Sequence, residues 1–425
     1  MSARPLSRPS ALRAAGVASC LAVAALAPDA RAQDLSTSQV ERGRYLATVA
    51  NCVGCHTDIK NHGAPWAGGR EMETPFGPIL TPNITFDTDT GIGTWTREDF
   101  WLALHEGRRA DGAHLYPAMP YPYFTLMPRQ DVDAIYDYLR TLPVVRNDVT
   151  PEEELPLPLQ IRTAVLGWKI LHFDAGEFTP DPNQSEEWNL GRYLVDGPAH
   201  CGACHTGKAL TGGDDPDEYL RGGVLENWHA PNIRGGTGGG LQHWTAEEIV
   251  AFLATGRNAH TGAMTRMGEV VTLSTQYMRE EDLSAIALYL KSLDDRLPDQ
   301  GDTPDTAVME RGAAIYFDNC AACHASNGEG VPHIFARLAG SNKVRSDDPT
   351  TVIRIILEGT QAVATDHWPG PLGMPAYHWK LTDEQIADLV TYMRNSWGNS
   401  AGPVAAGAVA DLREALSEDW AANPE

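Results

Sequence analysis

Apolar residues recur at helical spacing in Ile386, Leu389, Val390 and Met393. Thr382 followed by Gln385 offers a capping box just ahead of them, so an amphipathic helix is predicted here. It ends Tyr392-Met393-Arg394, and the same ending of a tyrosine, an apolar residue and a base recurs at Tyr138-Leu139-Arg140 and Tyr289-Leu290-Lys291. Well upstream of each lies a second short predicted helix that carries a glycine: Glu41-Arg42-Gly43-Arg44-Tyr45, Asn189-Leu190-Gly191-Arg192-Tyr193 and Glu310-Arg311-Gly312-Ala313-Ala314. The matched glycines and tyrosines predict packing: a residue without a side chain lets the closing helix cross the opening one closely, and the aromatic fills the space beside it. One unit is thus written three times.

The first two copies share more. Thr81-Pro82-Asn83-Ile84 and Ala230-Pro231-Asn232-Ile233 hold equivalent places, each followed by a Gly-rich loop and then by Trp95-Thr96 or Trp244-Thr245, where a further helix is predicted to start. The third copy is shorter and lacks the Pro-Asn-Ile loop.

Three other stretches carry an apolar pattern. Ala14 to Ala27 follows Arg4, Arg8 and Arg13 and precedes Ala30-Arg31-Ala32, which reads as an export leader cleaved after Ala32. Ile161 to Phe173 is apolar but interrupted by Arg162 and Lys169. It is too short for a bilayer, which needs ~20 residues, and is expected to be a helix packed between domains. In the tail after Trp397, Val404, Leu412, Leu416 and Trp420 make a weak apolar face with acidic neighbours, expected to be a docking or disordered tail. The resulting division is a leader at 1–32, modules at 33–148, 186–297 and 298–400, a linker with a short apolar helix at 149–185, and an acidic tail at 401–425.

Composition narrows the chemistry. The 425-residue chain has a formal net charge of -23, which argues against nucleic acid, whose phosphates need Lys and Arg. It has seven cysteines, one in the leader (Cys20) and six in three motifs: Cys52-Val53-Gly54-Cys55-His56, Cys201-Gly202-Ala203-Cys204-His205 and Cys320-Ala321-Ala322-Cys323-His324. Two thiols one helical turn apart can each form a thioether to a haem vinyl group, and the adjacent His then faces the iron. A zinc site would have to combine Cys pairs and leaves the three His residues unexplained. The expectation is therefore a mainly α chain of three tandem class-I-like cytochrome c domains, each wrapped around one covalently bound haem c. No thiol remains for a structural disulfide, and covalent haem implies export.

A second axial ligand would make each iron an electron carrier. Met119 in Tyr116-Pro117-Ala118-Met119-Pro120 and Met374 in Gly373-Met374-Pro375 are the candidates for the first and third haems. The second copy offers Met264 and Met267. Met119 lies 63 residues beyond His56 and Met267 lies 62 beyond His205, so spacing favours Met267. His62, His105, His114, His200, His229, His243 and His260 recur at no common spacing and are expected to be surface or supporting residues. Each proximal His needs an acceptor for its other N–H, and the carbonyls of Pro82 and Pro231 are expected to serve. No dinucleotide fingerprint, nucleophile elbow or phosphate loop is present.

The runs Leu115-Tyr116-Pro117-Ala118-Met119-Pro120-Tyr121, Ala230-Pro231-Asn232-Ile233 and Val270-Val271-Thr272-Leu273-Ser274-Thr275-Gln276-Tyr277-Met278 carry a resemblance. Over nearly the whole mature chain the sequence is similar to the tri-haem cytochrome c subunits of bacterial membrane-associated dehydrogenases. These include the cytochrome subunits of quinoprotein alcohol dehydrogenase and of flavin-dependent gluconate, sorbitol and fructose dehydrogenases. The resemblance implies a periplasmic subunit that takes electrons from a separate catalytic subunit (quinoprotein, flavoprotein or molybdoprotein) and passes them to ubiquinone, another cytochrome or a terminal oxidase. It also implies peripheral contact with the cytoplasmic membrane, and it supports His56, His205 and His324 with Met119, Met267 and Met374 as iron ligands. Two alternatives are the cytochrome subunit of a molybdenum-dependent aldehyde dehydrogenase, and a haem enzyme or gas sensor with one open iron.

Overall fold

The computed structural model describes residues 30–74, 77–149, 155, 157, 160–296 and 301–422, with side chains from Thr37 to Ser417. Residues 1–38 form one unit and residues 39–425 a second, compact one. Most of the expected leader, residues 1–29, lies outside the described residues; Ala30 begins a helix that runs to Val49.

The three repeats are present as helical modules. The opening helices are Ala30–Val49, Glu186–Asp196 and Thr306–Asn319, and the closing helices are Arg129–Leu139, Glu280–Lys291 and Asp383–Arg394. They cross at the glycines: a Cβ on Gly43, Gly191 or Gly312 would stand 1.8, 2.0 or 2.2 Å from the carbonyl oxygen of Ala134, Ala285 or Asp388. Tyr289 and Tyr392 flank these crossings, with their Cβ atoms 2.9 and 2.6 Å from the same built positions. A middle helix completes each module: Arg97–Glu106, Ala246–Thr255 and Thr350–Glu358. The first two begin at the Trp-Thr pairs, where Thr96 and Thr245 form capping boxes with Asp99 and Glu248. The third, in the shorter copy, carries no such sequence mark. All three end at a glycine in the left-handed region: Gly107, Gly256 and Gly359, with φ of 57°, 76° and 70°.

Each module has its own core, built around Leu46, Phe100 and Ile135, around Leu194, Leu220 and Leu283, and around Tyr316, Ile353 and Leu389. Among the described residues, strands are confined to three two-stranded antiparallel sheets, the longest pairing Gly222–Leu225 with Trp228–Pro231.

The first two modules exchange side chains reciprocally. Tyr45 on the first opening helix hydrogen-bonds Asp282 at the start of the second closing helix. Tyr193 on the second opening helix donates to Asp131 at the start of the first closing helix, at 3.0 Å. Arg279 and Arg42 pair with these aspartates at 2.8 and 2.5 Å. Both carboxylates are almost fully buried, so hydroxyl and guanidinium together offset the desolvation of each charge.

The apolar linker segment does form a helix, Val165–His172, and it does pack between modules. Lys169 bonds the Glu106 carbonyl of the first, and His172 meets Thr211 of the second at 2.7 Å. Its outer side keeps Leu166, Ile170 and Leu171 exposed. The tail corrects the expectation of a docking or disordered segment. Ala406–Ala422 is helical and buries Val409, Leu412 and Leu416 in the core of the third module, where Arg413 pairs with Asp383 at 2.7 Å. The apolar face read in the sequence is thus used internally; the Trp420 side chain lies outside the described residues. No described helix is long and apolar enough to cross a membrane.

Candidate functional site

Each Cys-x-x-Cys-His motif forms one helical turn: Cys52–Cys55, Gly202–His205 and Ala321–His324. All six cysteines are free, and each pair sits on one turn. Burial pushes Cys52 and Cys201 up to about 12 and Cys204 and Cys320 up to about 11, so these are neutral thiols facing apolar surroundings. Among the described residues no group of three His, Cys, Asp or Glu side chains converges as it would on a single ion.

The three histidines share one geometry. His56 Nδ1 lies 2.8 Å from the carbonyl oxygen of Pro82, His205 Nδ1 is 2.8 Å from that of Pro231, and His324 Nδ1 is 2.8 Å from that of Ala336. A carbonyl only accepts, so Nδ1 carries the proton and Nε2 keeps its lone pair for a metal. Burial also lowers the pKa of all three rings and keeps them neutral, the form that binds iron. The roles expected of Pro82 and Pro231 are thus observed. Ala336, 12 residues beyond His324, does the same for the third site, and no proline marked it.

The methionine loops leave the middle helices in matching ways. Past Gly107 and Gly256 the chain folds back, with Leu115 N–H bonding the Gly107 carbonyl at 2.9 Å and Ala263 N–H bonding that of Gly256 at 2.7 Å. Counting from these bonds, Met119 and Met267 each lie four residues on, so the two are equivalent in register. Met119 packs on the first core, as does Cys52. Met374 lines one cavity together with Cys320, Cys323 and His324. Met264 lines that same third-module cavity, although it belongs to the second repeat.

Four of the other histidines are engaged elsewhere. His105 bonds the Thr125 carbonyl at 3.0 Å, His200 reaches the Ala50 carbonyl at 3.3 Å, and His229 meets the Ser346 hydroxyl at 3.2 Å. His260 stacks on Trp244 and lies 3.1 Å from Glu248.

A charged cluster joins the three modules close to the first attachment turn. Arg70 bonds the Gly54 carbonyl and Glu269, both at 2.6 Å. Arg266 bridges Glu226 and Glu269 at 2.5 and 3.3 Å, and Arg354 of the third module bonds the Glu226 carbonyl at 2.7 Å. Sequence spacing gave no sign of this cluster, whose members lie up to 284 positions apart.

Thioether-ready thiols and a neutral oriented imidazole fit a haem c at each motif, and at the third they line a cavity. The fold and the three sites define a multi-haem cytochrome c with tandem modules. The chain belongs to the cytochrome c family, whose model matches residues 40–143, 190–294 and 309–397, one match per module. It therefore carries three haem c groups. It is 40% identical over 420 residues to the cytochrome c subunit of alcohol dehydrogenase (quinone) from Gluconacetobacter polyoxogenes, covering 93% of this chain and 89% of that one. It is 38% identical over 417 residues to the gluconate 2-dehydrogenase cytochrome c subunit of Pantoea cypripedii, covering 93% of each. Identity to the fructose dehydrogenase cytochrome subunit of Gluconobacter japonicus is 34% over 405 residues, 88% of this chain and 82% of that one.

Proposed function

We propose that this chain is the electron-transfer subunit of a dehydrogenase complex. It accepts electrons from a catalytic subunit that oxidises an alcohol, sugar or sugar acid, and passes them to ubiquinone or the respiratory chain on the periplasmic side of the membrane. The observation that carries this reading is the sharing of walls between sites. Arg70, Glu226, Glu269 and Arg354 tie all three modules together beside the first attachment turn, and Met264 of the second module lines the cavity of the third. When bound, haem supplies one-electron exchange at iron. The protein's part is to hold three such groups within one set of touching modules and to set their potentials.

His56, His205 and His324, oriented by the carbonyls of Pro82, Pro231 and Ala336, would bind the three irons. Met119, Met267 and Met374 would supply the second ligands, and thioether ligation would raise the potential. The apolar leader supports export. Exposed Leu166, Ile170 and Leu171, at 46%, 76% and 68%, supply a surface for peripheral contact with the membrane.

The test isolates the tagged chain with whatever catalytic subunit accompanies it in its own host. Ethanol, gluconate or fructose added to the complex should bleach the oxidised haem spectrum and develop the reduced one. The chain alone should give no substrate-dependent reduction, and its reduced form should not change spectrum under carbon monoxide. Turnover by the chain alone, or carbon monoxide binding to the native protein, would overturn the reading.

A further inference from the structure

The cavity holding Cys320, Cys323 and His324 has a polar side of one sign. Arg257, Arg337 and Lys343 line it, and among the described residues lining it there is no Asp or Glu. In a chain of net charge -23 this is the reverse of what composition provides at random. Arg257 is 5% exposed. Its Nη2 donates to the Gly370 carbonyl at 2.5 Å, and its Nε is buried with no partner among the described residues. Arg337 pairs with Glu329 at 3.1 Å through Nη2, and its Nε is likewise buried and unpartnered. Lys343 is half-buried, and its ammonium reaches the Thr261 hydroxyl at 3.3 Å. Burial pushes it down to about 8. Arg337 thus has a counter-charge, but Arg257 and Lys343 have none among the described residues, and a buried cation in that state is costly unless a ligand brings the anion. Haem c carries two carboxylates, its propionates, and guanidinium groups match carboxylates in shape and charge.

Two of the cavity's walls come from different modules. The loop after Gly256 lies antiparallel to the loop after Gly359: Met264 pairs with Ala362, and Val363 N–H bonds the Ala263 carbonyl at 3.0 Å. Thr365 bonds the Thr255 carbonyl at 2.8 Å, and Arg337 N–H bonds that of His260 at 2.9 Å. This pairing delivers Arg257, Thr261 and Met264 to the third site.

We propose that Arg257, Arg337 and Lys343 form a cradle for the propionates of the third haem, with Arg257 supplied across the module boundary by the second module. The proposal rests on attachment of that haem at Cys320 and Cys323. Its consequence is electrostatic: a cation beside the haem disfavours the more positive ferric state, so the cradle raises the third haem's potential. It also places part of the third site just ahead of the helix Thr265–Leu273, which carries the second site's Met267.

The test is a spectroelectrochemical titration of the full-length holoprotein, with haem count by mass. Paired Cys320→Ala and Cys323→Ala should remove one haem and one redox wave, which identifies the third haem's wave. Arg257→Gln should move that wave to lower potential by about ten-fold in its reduction constant, about 59 mV for one electron. Arg257→Lys should restore most of the shift, and Lys343→Gln should move the same wave in the same direction. If Arg257→Gln fails to mature, Lys343→Gln decides. An unmoved third wave, a shift in a different wave, or equal shifts in the Lys and Gln variants of Arg257 would overturn the cradle. A protein that keeps three haems after loss of Cys320 and Cys323 would deny the attachment and the cradle with it.

Discussion

At the scale of single residues, the attachment motifs and two of the three carbonyl partners were legible because they are local: cysteine spacing and the repeated Pro-Asn-Ile loop fix them without reference to the rest of the chain. Ala336 was not, since nothing distinguishes one backbone carbonyl from another until the loop folds. Met264 shows the same limit. Spacing preferred Met267 over it, and the register of the Gly256–Ala263 bond agrees, but only the fold reveals that Met264 lines the neighbouring site. The two methionines should therefore part company on mutation. Met267→Ala should open the second iron, lower its potential and admit carbon monoxide there. Met264→Ala should leave the second haem's spectrum intact and disturb the third. Carbon monoxide binding in the second module of Met264→Ala, with Met267→Ala silent, would reverse the assignment.

At the scale of elements, the opening and closing helices could be read from periodicity and from the recurring glycine and tyrosine. The middle helix of the third module and the tail helix could not. The first lacks the Trp-Thr start of its counterparts. The second has its apolar residues diluted by acidic ones, and they gain meaning only against Asp383 and the core they cover. The helix crossings give a sharp expectation. A methyl group on Gly191 would lie 2.0 Å from the Ala285 carbonyl oxygen, far inside contact distance, so one helix must move. Overpacking of this kind costs about 1–3 kcal/mol and sometimes more. Gly191→Ala should lower the thermal midpoint of the holoprotein by several degrees, whereas Gly407→Ala, where a Cβ would meet nothing within 4 Å, should not. Equal midpoints for the two variants would show that the crossing tolerates a side chain.

At the scale of the whole molecule, Glu226 sits where the modules converge, facing Arg70, Arg266 and Arg354 on one hand and Glu73 and Glu269 on the other. Burial is the largest influence and pushes its carboxyl from an ordinary value near 4.5 up to about 7, with Glu269 and Glu73 adding to the rise and Arg70 and Arg354 opposing it. A raised carboxyl pKa means the folded protein holds a proton that the unfolded chain has released, so stability falls as pH rises through the window from about 4.5 to 7. Glu226→Gln removes that loss. Its thermal midpoint should exceed that of the parent at pH 8 and approach it at pH 5, while Arg266 keeps Glu269 as a partner. A variant less stable than the parent at pH 8 would show that the ion pairs outweigh burial.

The like-for-like contacts between modules also bear on how the three associate. The tyrosine–aspartate exchange uses the same patch on the first and second modules, so it closes on itself as a two-fold interface does. The loop pairing of the second and third modules is again the same segment on both sides, and it too is closed. The counterparts of these two patches on the outer modules differ. On the first module, the loop after Gly107 is held by the linker, whose Lys169, on the helix, and Arg162, on the turn before it, bond the carbonyls of Glu106 and His114. On the third, the opening helix has Ala314 where the other two have tyrosine. The second module therefore engages both kinds of patch, one with each neighbour, and the association of the three modules hinges on it.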